Sequence, residues 1–209
     1  MTVFPTAAAL RTASYGETGL TLVDRFGVYL SKRAILRRLR RRDGLSVLDL
    51  GCGYRATLLR ALALHLAHGV GVDVSIAPEV RQEDKLTFHE AAIEDTLPEL
   101  EGGHFDVVLL ISVLEHLWKP LPVLEHCRRV LRRGGVLFVN VPTWRGKRFL
   151  EFSAFRLGTS PALEMDDHKM YYDVRDLWPL LVQAGFKPSR IQLSYHKLGL
   201  NLFGAATAD

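Results

Sequence analysis

The stretch Val-Leu-Asp-Leu-Gly-Cys-Gly at residues 47–53 decides the fold of this 209-residue chain. It lies in a short apolar strand, Ser46 to Leu50, and a glycine turn that leads into a helical pattern from Thr57 to Leu66. A second apolar stretch of strand length follows at Gly69 to Val74. A strand, a tight turn, a helix and another strand in this order indicate alternating β and α units.

The same alternation continues through the middle of the chain. Strands are predicted at Leu86–Glu90, Phe105–Ile111 and Val136–Val141. The helix before the last of these is predicted to run to Arg133 and to end at the glycine pair 134–135. Because the strands lack polar alternation and are separated by helices, they indicate a parallel sheet covered on both faces.

The end of the chain departs from this pattern. Asp173, with Asp176 three residues later, predicts a helix start, and Gly185 predicts the helix end. Two strand-like pieces at 190–195 and 198–203 are too close together for a crossover helix, so they should pair antiparallel. The predicted fold class is α/β, with a Rossmann-like, seven-stranded, mostly parallel sheet, helices on both faces and an antiparallel last strand.

Composition narrows the class of protein. With 48% hydrophobic and 24% charged residues, the chain is typical of a globular protein with a real core. The longest apolar run, Val107 to Leu114, is too short to span a bilayer, and Met1 to Leu10 lacks the features of a secretory signal. Two cysteines, Cys52 and Cys127, exclude a multi-bridge scaffold. We therefore expect a cytoplasmic protein.

The net charge of +4 is unevenly distributed. Two basic clusters lie on segments with helical periodicity, and each has an apolar stripe. They comprise Lys32, Arg33, Arg37, Arg38, Arg40, Arg41 and Arg42 in the first, and Arg128, Arg129, Arg132 and Arg133 in the second. Either a solvated helix face or a surface for anionic lipid, nucleic acid or a phosphorylated substrate fits this pattern. Since aromatic residues are not interleaved with these arginines, nucleic-acid binding is not predicted.

Two aspartates flank the glycine turn in a way that suggests a ligand. Asp73 follows Gly53 by twenty residues at the end of the second strand, where a carboxylate can accept hydrogen bonds from both hydroxyls of a ribose. An ordinary turn residue at a strand end is the alternative. Asp49 is unusual in an apolar strand and is suited to hold a ligand ammonium or to order the turn, whereas it would repel a dinucleotide's pyrophosphate.

These motifs resemble those of the class I S-adenosylmethionine-dependent methyltransferases. The similar segments are VLDLGCG at 47–53, GVDVS at 71–75, AIEDTLP at 92–98, FDVVLLISVLEHL at 105–117 and RRVLRRGGVLFVNVP at 128–142. The segment HKMYYDVRDLWPLLVQAGF at 168–186 is similar to the small-molecule branch that includes ubiquinone-biosynthesis O-methyltransferases. The likeness covers roughly residues 45–195.

The resemblance implies S-adenosylmethionine as the cofactor and assigns its contacts. The implied cofactor-binding residues are Asp49, Gly51, Cys52, Gly53 and Ser112 around the methionine part, Asp73 at the ribose, and Val74, Ala92 and Ile93 at the adenine. Two positions depart from the family pattern: Arg55 replaces a third glycine, and Ala92 replaces an acid that would contact the adenine amine.

Methyl transfer to a hydroxyl requires alignment and removal of a proton, and histidine suits the second task. The candidate catalytic residues are His116 and His168. His116 has an alternative role as a helix-start residue hydrogen-bonded with Glu115. His168 follows Asp166 and Asp167 and either forms an Asp–His pair with one of them or belongs to a surface polar cluster. No metal site is predicted, because Asp106 and Asn140 have no third partner.

The expected organisation is an N-terminal arm with a basic helix over 1–44 and a catalytic domain over 45–209. Residues 143–170 are predicted to form either a lid over the acceptor or an extra helix packed on the core. The predicted function is methyl transfer from S-adenosylmethionine to a small-molecule acceptor, at a hydroxyl oxygen. The alternatives are a non-catalytic cofactor-binding scaffold that docks to an anionic membrane or a partner through its basic helix, and an NAD-dependent oxidoreductase.

Overall fold

One seven-stranded sheet organises the chain in the computed structural model, which describes residues 22–39, 42–152 and 168–209. The strands are β1 (Leu45–Leu50), β2 (Leu66–Asp73), β3 (Leu86–Glu90), β4 (Phe105–Ile111), β5 (Leu131–Pro142), β6 (Ile191–His196) and β7 (Asn201–Thr207). They lie in the order β3-β2-β1-β4-β5-β7-β6, and only β7 runs antiparallel to its neighbours. The predicted fold class is confirmed, including the antiparallel pairing of the last two strands.

Helices cover both faces of this sheet. The α-helices of the described residues are α1 (Leu22–Arg38), α2 (Thr57–Leu62), α3 (Ile93–Thr96), α4 (Pro120–Val130), α5 (Trp144–Phe152) and α6 (Val174–Gln183). Side chains of α1 and α2 pack with Val47 in one hydrophobic cluster, and those of α4 and α6 pack with Leu48 and Leu50 in another. Because neighbouring strand residues point to opposite faces, the two clusters lie on opposite sides of the sheet.

The predicted ends of α6 are confirmed, whereas the predicted end of α4 is wrong. Asp173 and Asp176 form a reciprocal capping box at the start of α6. The helix α4 ends at Val130 instead of Arg133, and the glycine pair 134–135 lies within β5. Sheet pairing decides this, because Leu131 already pairs with Phe105 of β4 and the ladder then shifts register before Val136.

Two arginines of the second basic cluster, Arg129 and Arg132, are exposed but bind to groups of the fold itself. The guanidinium of Arg132 forms an ion pair with Asp106, a buried carboxylate that also accepts a hydrogen bond from the backbone N–H of Ser46 at 3.0 Å. Arg129 donates to the carbonyl oxygens of Leu97 and Leu100 at 2.7 and 2.8 Å. Arg132 thus joins β5 to β4, and Arg129 joins α4 to the segment before β4. Asp106 lies at the amino end of β4, opposite to the predicted site.

The first four residues of the first basic cluster lie on α1, which is anchored to the sheet by one face. Ile35 and Leu39 of its predicted apolar stripe are buried, while Arg33 and Arg37 are exposed. Arg40 and Arg41 lie outside the described residues. Among the helices that the structure describes, none combines the length and hydropathy needed to cross a membrane. The cytoplasmic location and the boundary at residue 44 stay predictions.

Candidate active site

The glycine turn after β1 is held against the ends of three other strands. The backbone N–H groups of Gly51 and Cys52 donate to the carbonyl of Val72 in β2, at 2.8 and 3.2 Å. A Cβ on Gly51, whose φ is +71°, would lie 2.5 Å from a methyl carbon of Val113 and 3.8 Å from the end of Ile93. The motifs quoted at 47–53, 92–98 and 105–117 therefore converge at the carboxyl edge of the sheet.

Asp73 connects the end of β2 to this turn. Its carboxylate accepts a hydrogen bond from the backbone N–H of Gly53 at 2.8 Å, and its carbonyl accepts one from Ala91 at 2.9 Å. Gly53 has φ of +77°, and a Cβ at this position would meet no atom of the described residues within 4 Å. The turn is thus shaped to bring backbone close to a ligand that occupies the open space beside it.

Asp49 is a buried carboxylate in the middle of this edge. Its side chain is 2% exposed, and its Oδ2 accepts no hydrogen bond from the described residues. Burial raises the pKa of Asp49 to about 8, and the negative charge of Asp73 adds to the rise. A buried carboxylate is costly without a compensating cation, so this group fits a ligand that carries an ammonium.

The segment that follows β3 provides backbone groups on the other side of Asp73. Ala92 is extended and immediately precedes α3, so the N–H of Ile93, the first helical residue, has no acceptor within the helix. Val74 is half-buried directly after β2. Arg55 is exposed and, with residues of α1 that include Arg25 and Lys32, lines a cavity of about 450 Å³.

Cys52 and Ser112 have different environments at this edge. Burial raises the pKa of the Cys52 thiol, and the charges of Asp49 and Asp73 raise it further, so the thiol stays protonated and packs beneath the turn. Ser112 directly follows β4, is exposed and adopts φ of +58°, with its N–H bonded to the carbonyl of Asn140 at 2.8 Å. A left-handed serine at a strand end is a strained position of the kind found at functional sites.

The two histidines predicted as catalytic residues lie together just beyond β4. The ring centroids of His116 and His168 are 4.9 Å apart. Residues 168–170 are attached there because the N–H groups of Lys169 and Met170 both point to the carbonyl of Glu115, at 2.6 and 3.3 Å. Nδ1 of His168 also lies 3.1 Å from the hydroxyl of Tyr171. Residues 166 and 167, the predicted acidic partners of His168, lie outside the described part of the chain.

Glu115 joins this pair, which the sequence did not predict. Its side chain is 1% exposed, and burial raises the pKa of Glu115 to about 8 although a backbone hydrogen bond and the charge of Lys197 lower it. One donor atom each from Glu115, His116 and His168 lie within 4.8 Å of one another. The expectation of no metal site considered only Asp106 and Asn140, so its reason does not hold for this cluster.

Aromatic and basic residues form a wall beside the histidines. Trp144 at the start of α5 packs against Tyr171, with ring centroids 5.6 Å apart, and the Lys147 ammonium lies 5.9 Å from the Tyr171 ring centroid. Trp144, Arg145, Lys147 and Arg148 line a cavity of about 600 Å³. The predicted lid is described only at its two ends, since residues 153–167 lie outside the described part of the chain.

Comparison with known proteins gives the family. Residues 24–190 match the methyltransferase domain family. The chain belongs to this family. Among solved structures, an S-adenosylmethionine-dependent methyltransferase from Archaeoglobus fulgidus has a TM-score of 0.63 at 15% identity, covering 86% of this chain and 94% of that one. The magnesium protoporphyrin IX methyltransferase of Synechocystis, solved with S-adenosylhomocysteine, has a TM-score of 0.63 at 20% identity, covering 93% and 90%. These two likenesses show the fold alone.

Curated relatives are more similar in sequence than these solved structures, but the match covers only about half of each relative. The ubiquinone biosynthesis O-methyltransferase of Marinobacter nauticus is 32% identical over 115 residues, which are 51% of this chain and 48% of that protein. The enzyme of the same name from Xylella fastidiosa is 36% identical over 121 residues, or 54% and 45%. The chain therefore spans about half the length of the curated relatives it matches.

S-adenosylmethionine is the cofactor of this methyltransferase class, and the site described above fits it. Asp49 is a buried carboxylate whose Oδ2 lacks a partner among the described residues, which suits the ammonium of the methionine part. Asp73 lies at the strand end where the sugar of a nucleoside binds in open α/β sheets. The space beside Gly53 admits a ligand.

The wall of this methyltransferase depends on a close contact between α5 and the β6–β7 connection. A Cβ on Gly146 would lie 2.2 Å from the carbonyl oxygen of Leu200. Gly146→Ala should therefore displace α5 and lower the free energy of unfolding by about 2 kcal/mol, measured by chemical denaturation. Gly103→Ala is the matched control, since within the described part of the chain its Cβ would meet no atom within 4 Å. Because Gly103 has φ of +70°, this control should cost only about 1 kcal/mol, and an equal loss from Gly146→Ala would contradict the close contact.

Proposed function

We propose that this chain transfers a methyl group from S-adenosylmethionine to a hydroxyl oxygen of a small-molecule acceptor. The observation that carries the proposal is the His116–His168 pair, 4.9 Å apart between ring centroids, at the same sheet edge as the glycine turn and Asp73. The names of the relatives, ubiquinone biosynthesis O-methyltransferases, support oxygen as the methylated atom.

The residues around the turn would bind and orient the cofactor. Asp73 would accept hydrogen bonds from the ribose, and Asp49 would pair with the ammonium. The backbone N–H of Ile93 would donate to the adenine, with Val74 and Ala92 against the ring, while Gly51, Cys52, Gly53 and Ser112 surround the methionine part. When bound, the cofactor supplies a methyl group already activated by its sulfonium, so the chain contributes alignment and exclusion of water.

His116 and His168 would take the proton that the acceptor hydroxyl loses. Both rings are half-buried, so an imidazole nitrogen can reach a ligand that lies against Tyr171 and Trp144. A neutral imidazole is a suitable base near pH 7. Because Lys147 and Arg148 line the cavity beside this aromatic wall, an aromatic acceptor or one with an anionic group fits it best.

A panel of hydroxylated aromatic compounds with radiolabelled S-adenosylmethionine tests this function. We expect methylation at oxygen, and a decrease of kcat of about 100-fold in His168→Asn with cofactor affinity unchanged. His104→Asn, an exposed histidine at the amino end of β4, is the control and should keep full activity. Cofactor binding without methylation of any compound would favour the scaffold alternative, and equal losses in both variants would exclude a role for His168.

A further inference from the structure

We propose that Glu115, His116 and His168 bind a divalent transition-metal ion at the carboxyl end of β4. The three side chains come from two distant parts of the chain, the turn after β4 and the segment before α6. Their donor atoms lie within 4.8 Å of one another. They are one carboxylate oxygen and two imidazole nitrogens.

The distances suit a site that closes by small side-chain rotations. Bonds from Zn²⁺ to nitrogen or oxygen are about 2.0–2.2 Å, so the ligand atoms of a tetrahedral site lie about 3.4 Å apart. Glu115 is fixed by burial and by the backbone bonds from Lys169 and Met170. The histidine rings are only half-buried and can rotate toward the carboxylate.

Two observations show that this cluster is built rather than accidental. Oε2 of Glu115 is buried and accepts no hydrogen bond from the described residues, although the side chain is 1% exposed. The Tyr171 hydroxyl lies 3.1 Å from Nδ1 of His168, the kind of outer contact that orients a ligand histidine. A bound cation would compensate the buried carboxylate charge, which the positive charge of Lys197 stabilises only in part.

The donor types select the ion. Two imidazoles and one carboxylate are the ligand set of catalytic zinc sites and of other borderline transition metals, whereas Mg²⁺ prefers oxygen ligands and retains its water. Three protein ligands leave at least one coordination position open.

Metal binding does not depend on the proposed function, but the role of the ion in deprotonating an acceptor hydroxyl rests on it. An acceptor hydroxyl bound at the open position forms a metal–oxygen bond and releases its proton to solvent water, because the ion lowers the pKa of a bound hydroxyl. In the metal-bound protein, His116 and His168 would be ligands of the ion. The ion would then promote loss of the hydroxyl proton in place of the two imidazoles. Metal binding itself requires neither acceptor nor turnover.

Calorimetry of the full chain with Zn²⁺, after treatment with EDTA and dialysis, tests the site. We expect one equivalent to bind, and His168→Asn to weaken binding at least about 100-fold, while His104→Asn retains it. Glu115→Gln should show the same loss; if this buried variant fails to fold, the half-exposed His168 still decides. No saturable binding, or equal loss in His104→Asn, would overturn the proposal.

Two further measurements separate this site from the methyltransferase function. S-adenosylhomocysteine affinity, measured on the same samples, should be the same with and without Zn²⁺, so a failed metal site leaves the cofactor site intact. Lys197→Gln should bind Zn²⁺ several-fold more tightly, because it removes the positive charge that competes for Glu115. Weaker binding in Lys197→Gln would contradict the assigned role of the carboxylate, and tighter binding of Mg²⁺ than of Zn²⁺ would contradict the ion class.

Discussion

Replacing Asp73 by alanine is expected to weaken the binding of S-adenosylhomocysteine about 1,000-fold. The proposed ribose contacts are charge-assisted hydrogen bonds, each worth about 1.5–3 kcal/mol. The same carboxylate holds the N–H of Gly53 at 2.8 Å, so its loss also loosens the glycine turn. Isothermal titration calorimetry on the purified chain measures the effect.

The control for this variant is Asp84→Ala. Asp84 is exposed in the connection before β3, so its removal changes the net charge equally without touching the turn. The affinity of the Asp84→Ala variant for S-adenosylhomocysteine should be that of the wild type within about twofold, because isolated surface charges contribute little. An Asp73→Ala variant that binds as tightly as Asp84→Ala would show that the nucleoside lies elsewhere.

The strands could be predicted from the sequence because each has a local cause. Leu86–Glu90 and Phe105–Ile111 have the predicted bounds. The second of these is a mostly apolar run enclosed by the polar residues His104 and Ser112. The end of α4 was misplaced by three residues and the start of β5 by five, because the register shift between Phe105 and Val107 depends on the neighbouring strand. A pairing between distant segments leaves no local signal.

The site shows the same division between local and distant contributions. The glycine turn and Asp73 lie within one β-α-β unit, so their spacing of twenty residues was enough to predict that they lie together. The contact between residue 115 and the segment at 168–170 joins parts of the chain more than fifty residues apart through backbone hydrogen bonds. The sequence shows that Glu115 and His116 are adjacent. It does not show that His168 lies beside them, because that contact exists only in the folded chain.

Replacing Asp49 by asparagine should have opposite effects on stability and on cofactor affinity. The buried carboxylate has its pKa raised to about 8, so the folded protein binds a proton that the unfolded chain, with a pKa near 3.8, releases at neutral pH. Keeping the buried Asp49 carboxyl ionised costs the wild type more free energy than burying an unpaired asparagine amide costs the variant. The free energy of unfolding at pH 8 should therefore rise by on the order of 3 kcal/mol in Asp49→Asn.

The sign of this effect gives a pH dependence that identifies Asp49. Because the folded pKa is the higher one, the wild type should lose stability as pH rises from about 4 to about 8, and Asp49→Asn should lack this contribution. Asp106→Asn is the matched control. That buried carboxylate is paired with Arg132 and bonded to Ser46, so its replacement should lower stability. A loss of stability in Asp49→Asn as well would contradict an uncompensated carboxylate.

Asp49→Asn is expected to be more stable than the wild type but to bind the cofactor more weakly. In the free wild type the Asp49 carboxyl carries a proton below about pH 8, and pairing with the ammonium of S-adenosylhomocysteine requires its release. Affinity should therefore increase about tenfold per pH unit between pH 6 and 8, whereas Asp49→Asn should bind about 1,000-fold more weakly at pH 8 and without that slope. Calorimetry across this pH range measures the effect. A pH-dependent affinity would show that the cofactor neutralises the destabilising carboxylate of Asp49. A wild-type affinity that does not vary with pH would mean that Asp49 only orders the turn.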